Sequence, residues 1–297
     1  MKKENLEISI HQKLYQIAKD SDQDFNSLLI RYVQERFLYR LANSEYSDVF
    51  VLKGALLFTA FNLSSLRPTK DIDFLGRGVS SDTDTVIKIV RDICQINYPD
   101  AVLFDPESVQ AVQIGKRNKY AGIRVKINAK LGTAKIVVWI DFGFGDKIVN
   151  GPVPIDFPTI LDFEPPRILA YSLESAIAEK FQACVKLNFE TSRLKDFYDI
   201  HELAALNAFS LSPLTSAIRK TFSARNTDLN ESDILFKKEF KHDKKKEIQW
   251  RAFLTRTRLN SEFSFYELMD RIEKFLEPAL IKKNSDKKWD FAKWKWV

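Results

Sequence analysis

From residue 25 to residue 41 the apolar side chains Phe25, Leu28, Leu29, Tyr32, Val33, Phe37 and Leu41 recur at helical spacing, with Asp22 or Asp24 placed to cap them. Residues 5–45 are therefore predicted to form two helices. A short apolar run at 49–52 ends in Lys53-Gly54, and residues 55–61 read as a buried helix. A strand is predicted over 71–75, closed by Gly76-Arg77-Gly78. Residues 81–97 open with Ser, Asp and Thr and carry Val86, Ile89, Val90 and Ile93 at i, i+3, i+4 and i+7, an amphipathic helix. Three strands follow, over 109–114, 121–129 and 134–142. In the middle one Ile123, Val125 and Ile127 alternate with Arg124, Lys126 and Asn128, as in a strand with one face buried.

The pattern then changes. Pro152, Pro154, Pro158, Pro165 and Pro166 crowd a stretch that reads as an extended connector without regular structure. Beyond it helical periodicity dominates, over 173–187, 192–206, 214–225, 245–255 and 265–276. The expected architecture is α+β to about residue 165 and helical from 166 to 297. Trp289, Phe291, Trp294 and Trp296 in the tail are expected to pack as an aromatic clasp.

Composition narrows the class. The 297 residues are 45% hydrophobic and 29% charged with nine glycines and ten prolines, which fits a folded globular protein rather than a fibrous or low-complexity one. Cys94 and Cys184 both lie in apolar helical segments, so neither a disulfide framework nor a cysteine zinc site is expected. No apolar stretch resembles a signal peptide or a membrane span, which makes a cytoplasmic protein the expectation. The net charge of +6 is spread along the chain. The local exception is the stretch 241–258, where Lys241, Lys244, Lys245, Lys246, Arg251, Arg256 and Arg258 face only Asp243 and Glu247; it reads either as a solvated helix face or as a surface following a nucleic-acid backbone.

Candidate chemistry centres on Asp71-Ile72-Asp73. Strand alternation sends both carboxylates to one face, roughly 6 to 7 Å apart along the chain, a spacing able to hold hard cations that also take phosphate oxygens. An acidic pair within an apolar strand is costly unless it meets cations or donors. Asp141 ends the apolar run 136–140 and is the third carboxylate, with Asp146 in a glycine turn as its competitor. Such a set can hold two Mg²⁺ ions while one member helps to deprotonate an attacking hydroxyl. Lys53-Gly54 before a helix is a candidate phosphate turn. Lys180, inside the largely apolar run 177–183, either snorkels to solvent or points into a cleft toward phosphate. Asp196 and Asp199 share one helix face, where Lys195 with Asp199 is the obvious salt bridge.

Taken together, Phe50-Val51-Leu52-Lys53-Gly54, Arg67-Pro68-Thr69-Lys70-Asp71-Ile72-Asp73, Ile140-Asp141-Phe142-Gly143-Phe144-Gly145-Asp146, Ala178-Glu179-Lys180-Phe181 and Ser192-Arg193-Leu194-Lys195-Asp196-Phe197-Tyr198-Asp199 resemble the AbiEii/AbiGii-type nucleotidyl transferase toxins of type IV toxin–antitoxin systems, in the polymerase-β-like superfamily. The resemblance covers residues 25–205. It implies a mixed-sheet nucleotidyl transferase core with flanking helices, and a helical C-terminal part that completes the active-site cleft. It implies Asp71, Asp73 and Asp141 as ligands of a two-ion Mg²⁺ site and Lys180 as a contact to the NTP substrate. It raises Asp196 and, more, Asp199 from salt-bridge partners to residues in the active site or directly behind it, sets Lys53 and Gly54 beside the nucleotide, and has Arg67, Thr69 and Lys70 flank the metal strand, either orienting it or touching the nucleotide. An RNA acceptor such as a tRNA 3′ end and a cognate antitoxin are the implied partners. Ala55 departs from the family, which follows Lys-Gly with glycine or serine, so no hydroxyl is available there. That departure motivates a second reading, a nucleotide- or partner-binding module with weakened catalysis; transfer onto a protein side chain is a third.

Overall fold

The computed structural model describes residues 3–61, 69–115, 122–145, 148, 151–257, 259, 261–281 and 286–297. Two compact units emerge, residues 1–146 with 152–171, and residues 147–151 with 172–297. The first begins with α1 (Lys3–Asp20) and α2 (Phe25–Ala42). Asp24 caps α2, its carboxylate accepting the Ser27 N–H at 2.8 Å. Next come β1 (Phe50–Lys53), α3 (Leu56–Ala60), β2 (Asp71–Gly76) and α4 (Thr83–Cys94), the last capped by Asp82. The long strands β3 (Val102–Ile114), β4 (Gly122–Leu131) and β5 (Ala134–Phe144) follow, then β6 (Val153–Asp156) and β7 (Arg167–Ala170).

These strands form one mixed sheet in the order β3-β4-β5-β2-β1-β7-β6. β2 runs parallel to β5 and β1 parallel to β7, and the other pairs are antiparallel. The alternation read in the sequence now has a direction. Phe50, Leu52, Ile72, Phe74, Ile123, Val125, Ile127, Ile140 and Phe142 line one face and are at most 1% exposed. Helices α2 and α4 cover that face, and Phe50, Phe74 and Phe142 pack ring against ring at centroid distances of 4.8–5.8 Å. Burial of each large side chain here stabilises the unit by roughly 1.5–3 kcal/mol.

Two strands lie where the proline count predicted none. Pro154 sits within β6, opposite Leu169 of β7. β6 is the last strand of the sheet, so the N–H that proline lacks deprives no further neighbour of a ladder bond. The strand β3 likewise begins at Val102 rather than 109, with an irregularity between Asp105 and Gln110 that disguises its alternation.

Helix α2 is buried on every side from Tyr32 to Leu41, including Glu35, Arg36 and Arg40. Arg40 anchors it, donating to Asp100 Oδ2 at 2.8 Å, Asp100 Oδ1 at 3.1 Å and the Val102 carbonyl at 3.0 Å. Glu35 accepts the Ile160 N–H at 2.7 Å and pairs with Arg36 at 2.6 Å. Burial pushes the Glu35 carboxyl up to about 7 from 4.5, against the opposing pull of Arg36 and of the Ile160 N–H. A raised acid favours the fold in its protonated form, so this contribution is full below the unfolded value of 4.5 and is lost as pH rises through 7. Wild-type Tm is therefore expected to rise as pH falls from about 8 toward 5, with up to ~3 kcal/mol at stake. Glu35→Gln, which keeps the acceptor without the charge, flattens that slope; an unchanged slope in calorimetric scans would refute the assignment.

The second unit holds α5 (Leu173–Leu187), α6 (Leu194–Leu206), α7 (Leu211–Ala224), the short α8 (Asp233–Phe236) and α9 (Lys238–Lys241), α10 (Lys244–Thr257) and α11 (Phe265–Leu280), then a two-stranded pair, β8 (Trp289–Asp290) and β9 (Lys295–Trp296). Leu203, Leu214, Ile218, Phe265, Met269 and Phe275, none more than 0% exposed, form its interior. The tail closes it as a clasp through its three tryptophans, whereas Phe291, expected to pack with them, is 44% exposed. The indole N–H groups of Trp289, Trp294 and Trp296 donate to the carbonyls of Ala204 at 2.7 Å, Arg271 at 3.1 Å and Phe275 at 2.9 Å. Among the described residues no helix is long and apolar enough to cross a membrane.

Candidate active site

Register assembles what strand alternation only aligned. The parallel pairing of β2 with β5 sets Asp73 beside Asp141 and Asp71 beside Trp139. β1 brings Lys53 opposite Asp73, and β4 brings Arg124 opposite Asp141. One row thus crosses four strands as Arg124, Asp141, Asp73, Lys53, two carboxylates flanked by a cation at each end. All four are half-buried, on the sheet face away from α2 and α4.

Arg124 is the member that sequence patterning leaves unremarked. Its Nε donates to Asp141 Oδ1 and its Nη2 to Asp141 Oδ2, both at 2.7 Å, and Nη2 is also 3.6 Å from Asp71 Oδ2. Such a two-pronged pair fixes orientation as well as charge. The hydrogen bonds to Asp141 raise the Arg124 pKa further, burial opposes them, and the charges of Asp141, Asp71 and Asp73 add to the rise. The one sequence signal for Arg124 was its polar position in the alternating strand, and only the β4–β5 register ties that position to Asp141.

Gly54 takes the left-handed φ of +69°, and a Cβ built there would lie 2.0 Å from Asp73 Oδ2 and 2.7 Å from Asp73 Cβ. Its glycine identity makes room for Asp73. Lys53 reaches across the sheet, its Nζ 3.1 Å from where a Gly143 Cβ would stand and 5.8 Å from the Tyr171 ring centroid. Thr69 Oγ1 donates to the Asp71 carbonyl at 3.3 Å, and Lys70 is exposed beside it. Ala55 precedes the five-residue α3 and makes no side-chain cap bond. Arg67 and Asp146 lie outside the described residues.

In the helical unit Lys180, Asp196 and Asp199 come together. Lys180 Nζ donates to Asp199 Oδ2 at 2.7 Å and to Asp196 Oδ1 at 3.1 Å, and its side chain is only 12% exposed. The lysine therefore does not snorkel to solvent; its ammonium group is held by two carboxylates. The salt bridge of Asp199 is with Lys180 on α5, whereas Lys195 points to solvent. Arg193 Nη1 also donates to Asp196 Oδ2 at 3.0 Å. Burial raises the Asp196 carboxyl, but Lys180 and Arg193 together outweigh it and hold the pKa below 3.8. A depressed acid stabilises the fold above its unfolded value, and that contribution disappears as pH falls below about 3.8. Asp199→Ala is expected to cost about 3 kcal/mol in urea unfolding, because it leaves a buried lysine half-compensated; a loss under about 1 kcal/mol would show that Asp196 alone suffices.

The basic stretch is less continuous than its composition. Lys241 is 8% exposed and pairs with Glu273 and Asp270, and Lys246, 4% exposed, donates to the Thr191 carbonyl. Arg251 pairs with Glu247 at 2.7 Å. Lys244, Lys245 and Arg256 are left exposed, while Arg258 lies outside the described residues.

The fit to a divalent ion is that of a pair. Asp71 and Asp73 offer hard oxygens on one face, which suits Mg²⁺ because this ion is commonly held by one or two carboxylates with substrate phosphates completing its shell. Both oxygens of Asp141 are engaged by Arg124. Among the described residues no three His, Cys, Asp or Glu side chains converge as a preformed metal cage.

Comparison with known proteins gives the family and the fold. No curated protein matches the sequence. Among solved structures, MenT4, the nucleotidyltransferase toxin Rv2826c from Mycobacterium tuberculosis H37Rv, is similar over 97% of this chain and 92% of its own, with a TM-score of 0.56 at 16% identity. JHP933 from Helicobacter pylori is similar over 86% of this chain and 94% of its own, with a TM-score of 0.50 at 16% identity. At such identities the likeness is one of fold. The family is settled by sequence, since the profile described as "Nucleotidyl transferase AbiEii toxin, Type IV TA system" matches residues 36–277, well over half of the chain. With its Asp-x-Asp strand beside Asp141 in a mixed sheet, this chain belongs to the AbiEii nucleotidyl transferase toxin family of type IV toxin–antitoxin systems.

Proposed function

We propose that this nucleotidyltransferase toxin is Mg²⁺-dependent and moves a nucleoside monophosphate from an NTP to an RNA acceptor such as a tRNA 3′ end. NTP as substrate, a divalent metal in general and an antitoxin as partner go with the family. The observation that supports the finer reading is the four-strand row, in which two carboxylates on adjacent strands are flanked by Lys53 and Arg124.

In this reading Asp71 and Asp73 would hold Mg²⁺, whose chemistry is neutralisation of charge on the phosphate oxygens. The acceptor hydroxyl oxygen forms a bond to the α-phosphorus, the bond to the bridging oxygen of the β-phosphate breaks, and pyrophosphate leaves. Asp141, oriented by Arg124, takes the hydroxyl proton. Lys53 contributes positive charge from the β1 end of the row. In the helical unit Lys180 is the cation we assign to the triphosphate, with Asp196 and Asp199 holding its ammonium group in place.

The test is direct. Incubating the full chain with each α-labelled NTP in turn, Mg²⁺ and total tRNA is expected to label RNA, and chelation by EDTA to stop it. Label on protein alone, or no label with any nucleotide, would overturn the RNA-directed reading.

A further inference from the structure

The sheet face that carries the carboxylate row does not end with it. On β4, Arg124, Lys126, Asn128 and Lys130 point to this face, paired with Asp141, Trp139, Val137 and Lys135 of β5. Asn128, Lys130, Lys135 and Val137 are exposed, and Lys126 and Trp139 half-buried. The opposite side chains, Ile123, Val125 and Ile127, are at most 1% exposed, so the two faces differ sharply. On the edge strand, Val112 and Gln110 continue the rows of Arg124 and Lys126, and Val112 is 57% exposed.

Three features distinguish this face from an ordinary solvated one. Lys126, Lys130 and Lys135 form no ion pair with any described residue, whereas in the stretch 241–258 Lys241 and Arg251 are paired and Lys246 is turned inward. Beyond Asp71, Asp73 and Asp141, Asp105 also stands on these rows, on the edge strand opposite Asn128, where it accepts the Glu107 N–H. An indole, Trp139, sits between the lysines and the carboxylates, beside Asp71 and 5.9 Å from the Arg124 guanidinium carbon. Basic side chains alternating with an aromatic plane on an open sheet match the chemistry of single-stranded nucleic acid, phosphates meeting ammonium groups and a base stacking on the ring.

We propose that the open face of β3, β4 and β5 is the acceptor-binding surface, along which a single-stranded RNA runs from the β4–β5 turn, past Lys130 and Lys135, over Trp139, to the carboxylate row. The six residue steps from Lys135 to Asp141 span about 20 Å, room for a few nucleotides. The proposal rests on the transfer reading given above and adds where the acceptor lies.

Fluorescence anisotropy of a labelled single-stranded RNA of about 12 nucleotides tests it. The K126E/K130E/K135E variant is expected to bind at least ~10-fold more weakly and to lower the slope of log affinity against log salt by about 2, since each phosphate contact contributes roughly 0.7. Trp139→Ala is expected to weaken binding about tenfold with the salt slope unchanged, the loss of one stacked base. Circular dichroism of both variants confirms the fold. Equal RNA affinity in wild type and the triple variant overturns the platform, and points the basic face toward an acidic protein instead. Calorimetric titration of the wild type with NTP and Mg²⁺ separates the two readings: NTP binding with unaltered RNA affinity removes the platform alone, while absence of both NTP and RNA binding removes both.

Discussion

Asp73→Ala is expected to lower nucleotide transfer at least ~10³-fold while leaving the fold nearly unchanged. Asp73 is central to the row, with Asp141 beside it on β5 and Lys53 opposite on β1. Removing it leaves Asp71 alone to hold an ion, and leaves Lys53 without the carboxylate opposite it. A loss of this size corresponds to about 4 kcal/mol of transition-state stabilisation. The fold is spared because the neighbours that anchor β2, Ile72 and Phe74, point the other way and stay buried at 0% and 1% exposure. Initial rates of labelled transfer, read beside a thermal melt, measure both. Transfer within tenfold of wild type at an equal Tm would remove Asp73 from the chemistry.

Gly54→Ala is expected to damage stability and activity together, by about 3–5 kcal/mol in unfolding free energy. Two costs combine. A left-handed backbone at φ +69° disfavours any residue with a Cβ by roughly 1–2 kcal/mol. The added Cβ also enters space held by Asp73, 2.0 Å from Oδ2 and 2.7 Å from Cβ. A rotamer change could remove the first contact. It cannot remove the second, because Cβ is fixed to the strand, so β1 and β2 must move apart and the register of Lys53 with Asp73 is disturbed. The double variant G54A/D73G separates the two costs in urea titrations. Recovery of a large part of the loss is expected; no recovery would assign the whole effect to backbone conformation.

Much of the helical unit was legible because its apolar spacing is regular: α5 spans the predicted 173–187, and α6, α7, α10 and α11 lie within a few residues of their predicted bounds. The Asp24 and Asp82 caps were legible for the same local reason. Strands were harder. β6 carries a proline that its edge position tolerates, β7 begins directly after Pro165 and Pro166, and the first half of β3 hid behind its bulge. At the site, the sequence exposed Asp71, Asp73 and Asp141 as carboxylates out of place in apolar strands. Their neighbours Arg124, Trp139 and Lys126 sit in ordinary alternating strands and carried no such signal. Lys180 shows the reverse. Its misfit in an apolar helix was visible, but its partners Asp196 and Asp199 lie on the next helix and could not be paired with it by spacing.

The sequence by itself determined the helical periods, the caps, the family motifs and the fact that Asp71 and Asp73 share a face, since each follows from backbone repeats over a few residues. Only the tertiary structure decided that Asp141 lies beside Asp73, that Arg124 grips it with both prongs, that Gly54 yields its Cβ space to Asp73, and that three lysines and a tryptophan extend the same face. Those relations depend on strand order and register among segments far apart in the chain, and a slip of one residue in any pairing would send the side chains to the opposite side of the sheet.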